Sequence, residues 1–149
     1  CIHLFRLYLM FHDLYILKLT ESEKKIFEFF KGELSPADFK EILNLSIKLK
    51  KSAGEVLIHQ SKPVQAINLI MEGTVTVKKD NKIVANLSTG SFFGELSFLT
   101  EDLASSTVIA RTSISYICWD QEILKKYLNK ECHLFVSFQK LLIKKFINC

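Results

Sequence analysis

The sequence predicts a mainly β domain framed by helices. Three observations carry that prediction. Between Lys48 and Asp120, short apolar runs alternate with turns centred on Gly or Asn at near-regular intervals, the mark of an antiparallel sandwich or barrel-like roll. On either side, apolar residues recur at helical spacing behind capping signals. The 149 residues are 48% apolar and 24% charged, the balance of one globular domain with a core of its own. The boundaries follow as 1–47 for an N-terminal helical segment, 48–120 for the roll and 121–149 for C-terminal helices.

The opening, Cys1 to Leu19, is rich in Leu, Phe, Tyr and Ile, but Arg6, His12, Asp13 and Lys18 interrupt it. As written it cannot cross a bilayer, and it lacks the clean apolar run and small-residue cleavage site of a signal peptide. It reads as a packed helix or as the stub after a membrane segment. Thr20-Glu21-Ser22-Glu23 is a capping box, and the helix behind it carries Ile26, Phe27, Phe29 and Phe30 and is expected to stop near Gly32. Ser35 caps a second helix, with Pro36 in its first turn and Phe39, Ile42 and Leu43 on one face.

Eight strands are expected from Lys48 to Asp120. Six of them are announced by the runs Val56 to Ile58, Ile67 to Met71, Val75 to Val77, Ile83 to Leu87, Thr107 to Ala110 and Ile114 to Trp119. Asp80-Asn81 and Thr89-Gly90 supply turns. Asp120 then caps a helix containing Ile123, Leu124, Tyr127 and Leu128, and a last helix runs from Cys132 to the end.

Composition narrows the function. Twelve phenylalanines point to an aromatic core. The net charge of +4 comes with lysines spread over many segments, a solvated surface rather than a nucleic-acid face. Cys1, Cys118, Cys132 and Cys149 form no C-x-x-C pair and read as free thiols. His3, His12, His59 and His133 are scattered, so a metalloenzyme on a similar roll has no ligand cluster. No nucleophile set or Walker-type loop stands at a convincing spacing, so the chain is expected not to be an enzyme. A DNA-binding regulator would need a helix-turn-helix after the C-terminal helix, and with the sequence ending at Cys149 none is expected.

Between strands, Gly90-Ser91-Phe92-Phe93-Gly94-Glu95-Leu96-Ser97-Phe98-Leu99 breaks the β period. A strand stops at a glycine and a short helix, Glu95 to Leu99, begins. Free N–H groups there, beside a glycine that admits close approach, make a candidate phosphate cradle. Glu95 stands ready to accept hydrogen bonds from a sugar hydroxyl. Taken singly, Gly94-Glu95 also reads as a turn and cap, Ser105 and Ser106 as hydroxyls that satisfy backbone, Trp119 as core and His59 as a surface strand residue.

This stretch resembles the phosphate-binding cassette of cyclic-nucleotide-binding domains, which reads roughly Phe-Gly-Glu-Leu/Ile-Ala-Leu, a short loop, then Arg-x-Ala-Thr/Ser-Val. Phe93-Gly94-Glu95-Leu96-Ser97-Phe98-Leu99 matches the first half and Ala104-Ser105-Ser106-Thr107-Val108 aligns with the second. Ala53 to Leu57 and Ile67 to Val75 resemble the family's first strand and its central strand pair. The resemblance covers Lys48 to Tyr127. It implies an antiparallel double-stranded β-helix, a jelly-roll-like roll, with cyclic AMP or cyclic GMP as ligand at Phe93, Gly94, Glu95, Leu96, Ser97, Ala104, Ser105, Ser106 and Thr107. Residues 25–43 are also similar to the Popeye-type branch and to bacterial membrane-anchored relatives. That likeness implies an anchor upstream of Cys1 and a place on the cytoplasmic side.

The sequence departs from the family at one position. The arginine that meets the cyclic phosphate falls at Ala104. Arg111 is a poor substitute, about 23 Å further along an extended chain and pointing to the other face. Without a cationic neighbour, Glu95 would repel a phosphate. Two functions stay open: a regulatory module that binds a cyclic nucleotide or related anion and moves its C-terminal helices, and a degenerate roll that serves as an interaction or oligomerisation domain. Apolar residues from Leu134 to Ile147 cover most of the last helix, more than one supporting surface needs. A homodimer through this helix, with help from Ile2 to Leu19 and with Phe138 in the contact, is therefore expected; the alternative is that the N-terminal segment covers the helix within one chain.

Overall fold

The caps act where the sequence puts them. In a computed structural model of the chain, which describes residues 4, 6, 7 and 19–147, Thr20 Oγ1 accepts from the Glu23 amide at 3.2 Å and opens α1 (Glu21–Phe27). Ser35 Oγ accepts from the Asp38 amide at 3.2 Å and opens α2 (Pro36–Asn44). Glu23 does not complete a reciprocal box. Its carboxylate accepts from Lys40 Nζ at 2.7 and 2.8 Å, tying α1 to α2. α1 also ends sooner than Gly32. The amides of Phe29 and Phe30 donate to Ile26 and Phe27, three residues back, and this tighter turn drives the fully buried Phe30 into the core. The reading of Cys1 to Leu19 as a packed helix or a stub falls almost wholly outside the described residues, as do Cys1 and Cys149.

Eight strands follow: β1 (Ile47–Lys51), β2 (Val56–Ile58), β3 (Ala66–Glu72), β4 (Val75–Lys79), β5 (Lys82–Leu87), β6 (Phe92–Phe93), β7 (Thr107–Ala110) and β8 (Ile114–Asp120). They form two antiparallel four-stranded sheets, ordered β1-β8-β3-β6 and β2-β7-β4-β5. Most connections change sheet, and the result is the expected jelly-roll-like β-roll with flanking helices. The helices after β6 and β8 are α3 (Glu95–Thr100), α4 (Gln121–Lys130) and α5 (Cys132–Ile147).

The first sheet is covered on both faces, so its strands carry apolar residues on both. Ile67, Leu69, Phe92, Ile117 and Trp119 face the helices and join Phe27, Phe30, Phe39, Phe98 and Phe138 in one core. Ile70, Phe93, Ile114 and Tyr116 face the second sheet and meet Val75, Val108 and Ala110. Trp119 is fully buried, and its Nε1–H donates to the Ile42 carbonyl at 2.8 Å, fixing α2 against β8. Phe27, Phe30, Phe39, Phe92, Phe93, Phe98, Phe138, Tyr116 and Trp119 are core, as the number of phenylalanines suggests. Cys118 and Cys132 are free thiols. Arg111 is exposed just past the end of β7.

The last helix corrects one expectation. Leu134, Phe138, Leu141 and Leu142 of α5 are buried in the chain's own core, so Phe138 is not available to a partner. Among the described residues of α5, Val136 and Ile143 are left about half exposed. Among the described residues no helix is long and apolar enough to cross a membrane.

Candidate functional site

The strand pair β3–β6 positions the site. Asn68 and Leu69 pair with Phe93 and Phe92, and the chain then turns at Gly94 into α3. Gly94 has φ +83°, and a Cβ there would lie 2.6 Å from the Ala66 carbonyl oxygen of the strand's own neighbour region. Glycine is therefore required by close packing on β3 as well as by its backbone conformation. This demand comes from β3 and is separate from any room the glycine leaves for an anion.

A cavity of about 320 Å³ opens between this turn, the segment 104–106 and the second sheet. Phe93, Gly94, Glu95, Leu96, Ser97, Ala104, Ser105 and Ser106 all line it. Thr107 is not among them. Its Oγ1 accepts from the Gln60 amide at 3.0 Å and so secures the start of β7. Ala104 is held at the wall by its neighbours: its amide donates to the Lys62 carbonyl at 2.9 Å, and its carbonyl accepts from the Ser61 amide at 2.8 Å.

The opposite wall escaped the sequence argument. Ile58 of β2, Val77 of β4, Ala85 and Leu87 of β5 and Val108 of β7 close it, while Val64 lies beside Gly94. The alternation Val75-Val77 and Ala85-Leu87 was the available signal, since Val77 pairs with Ala85 and Val75 with Leu87 across one face. The lining is thus mostly apolar, with serine hydroxyls and one carboxylate. Among the described residues, no lysine or arginine lines the cavity. Burial pushes the Glu95 carboxyl above its ordinary range, and a hydrogen bond from its own amide opposes this. No three His, Cys, Asp or Glu among the described residues are grouped to hold a metal.

Residues 48–131, from β1 through α4, match the family model of the cyclic nucleotide-binding domain. The chain belongs to this family. It is 30% identical over 83 residues to a cAMP-dependent protein kinase regulatory subunit of Schizosaccharomyces pombe, an alignment covering 55% of this chain and 20% of the relative. It is 31% identical over 85 residues to a cyclic nucleotide-gated potassium channel of Mesorhizobium japonicum, covering 57% and 23%. The chain thus spans about a fifth of the length of these curated relatives. A crystal structure of a cyclic nucleotide-binding domain from Methylobacillus flagellatus superposes with TM-score 0.72 at 18% identity, over 85% of this chain and 79% of that one. The Thermus thermophilus catabolite activator protein gives 0.67 at 21%, over 80% and 58%. At these identities the likeness is one of fold.

In this cyclic nucleotide-binding domain the short helix of the site is also a joint. Phe98 of α3 is buried and meets Phe138 of α5 edge-on, ring centroids 6.0 Å apart at 82°. Lys125 of α4 sits over the Phe98 ring at 5.4 Å and pairs with Glu101 at 3.3 Å. Tyr127 of α4 donates to Glu41 of α2. One face of α3 lines the cavity while the other packs on the C-terminal helices, so a shift of α3 would be felt by both.

Proposed function

We propose that the chain is a ligand-sensing regulatory roll in which cyclic AMP and cyclic GMP are weak ligands. The carrying observation is the charge of the cavity, whose lining holds the Glu95 carboxylate and, among the described residues, no lysine or arginine. In the family pattern the arginine that meets the cyclic phosphate falls at Ala104. A charge-assisted hydrogen bond contributes about 1.5–3 kcal/mol, so its loss weakens binding roughly ten- to a hundredfold. The names of the relatives make cyclic nucleotides the first ligands to titrate. Occupancy would act on α3 and pass through Phe98 to α4 and α5. Calorimetry on the wild-type chain with each nucleotide tests the reading, which expects a dissociation constant weaker than about 10 µM. Sub-micromolar binding of either one would overturn it.

A second role, as an oligomerisation domain, is favoured by Val136 and Ile143. They lie seven residues apart on α5, hence on one stripe, and each is about half exposed. This reading expects a homodimer through that stripe, not through Phe138.

A further inference from the structure

Building on the reading of the cavity as a ligand site, we propose that its ligand is a small apolar cation: a ring or branched hydrocarbon body bearing one ammonium group that pairs with Glu95. The body of the cavity asks for hydrocarbon. Ile58, Val77, Leu87, Phe93, Leu96 and Val108 supply apolar walls from both the turn and the second sheet. Its volume of about 320 Å³ lies at the low end of ligand pockets, which run from about 300 to 1,000 Å³.

The polar groups are gathered on the side of α3 and the segment 104–106, and they suit a donor rather than an anion. Glu95, Ser97, Ser105 and Ser106 line the cavity there. Among the described residues the Glu95 carboxylate forms no hydrogen bond with another side chain and no ion pair, and it accepts from its own amide. An ammonium offers three N–H donors. The carboxylate takes one or two, and serine oxygens accept the remainder. A half-buried carboxylate attracts a cation strongly where the dielectric is low and repels a phosphate by the same law. An arginine at position 104 would have cancelled that field, but alanine leaves it open toward the ligand.

The test titrates the full chain with three charge variants of one body: phenethylamine, 2-phenylethanol and 3-phenylpropionate, with cyclic AMP alongside. Amide chemical shifts of residues 93–97 and 104–106 locate binding. The amine is expected to shift these amides and to bind about ten- to a hundredfold more tightly than the carboxylate. Glu95→Gln should erase that preference and leave 2-phenylethanol unaffected. Ala104→Arg, which supplies an internal cation, should also erase it, and it decides the matter if the first variant does not fold. The proposal is overturned if the carboxylate or cyclic AMP binds wild type as tightly as the amine, or if the preference survives both substitutions. If only anions shift these amides, the ligand site stands and the cationic ligand falls. If nothing of any charge shifts them, the ligand-site reading falls and the proposal goes with it.

Discussion

Replacing Phe98 by alanine tests the joint between the cavity and the C-terminal helices. Phe98 is 4% exposed, and its ring lies against Phe138, itself fully buried. Removing a core phenylalanine costs about 3–5 kcal/mol, from lost burial and the cavity left behind. The edge-on pair accounts for about 0.5–1.5 kcal/mol of this, and Lys125 over the ring adds roughly 0.5–1. A domain of this size loses about 2–4 °C of melting temperature per kcal/mol, so the midpoint should fall by roughly 6–20 °C. Urea denaturation followed by Trp119 fluorescence measures the free energy directly. A cycle with Phe138→Ala isolates the pair, with expected coupling of at least about 0.5 kcal/mol. A loss under about 1 kcal/mol, or strict additivity in the cycle, would refute the contact and the route from α3 to α5.

Three further outcomes follow from single sites. Gly94→Ala forces a side chain into the left-handed region and against the Ala66 carbonyl. Urea denaturation should show a loss of about 1–3 kcal/mol, and an unchanged midpoint would contradict the packing reason for this glycine. Glu95 is held above its ordinary pKa of 4.5, chiefly by burial, so the folded chain binds this proton more tightly than the unfolded one. The stability it contributes is complete below 4.5 and is lost as pH rises through the higher folded value. Glu95→Gln should therefore raise the melting temperature at neutral pH and give no gain in acid; a neutral-pH loss would show that the carboxylate is needed ionised. Val136→Glu should convert a dimer to a monomer in light scattering without lowering the melting temperature, and a monomeric wild type would dismiss the stripe on α5.

Much of this fold could be read locally. Ser35 and Asp120 cap helices by their own side chains, with Asp120 accepting from Glu122 and Ile123. β7, Thr107–Ala110, falls where its apolar run lies. What escaped notice depends on partners distant in sequence. β1, IKLKK, is largely exposed and reads as polar, because it is an edge strand paired only with β8. β6 has two residues and exists through its bonds to β3. The stop of α1 is set by where Phe30 must enter the core. At the site, the segments 93–97 and 104–106 were visible as a motif. The facing wall was not, because Ile58 joins Val77 and Ala85 only through β7, a strand distant in sequence that pairs with both β2 and β4. The packing demand on Gly94 comes from Ala66, which the sequence places far away.

We propose that the cavity lacks, at position 104, the charge that a cyclic phosphate needs. Calorimetry of cyclic AMP into the wild-type chain and into Ala104→Arg tests it most directly. Position 104 lines the cavity and is fixed by two backbone hydrogen bonds, so an arginine there starts from the wall. The account predicts weak binding by wild type and a gain of about ten- to a hundredfold in the variant. Tight binding by wild type, or no gain in a folded variant, would contradict it.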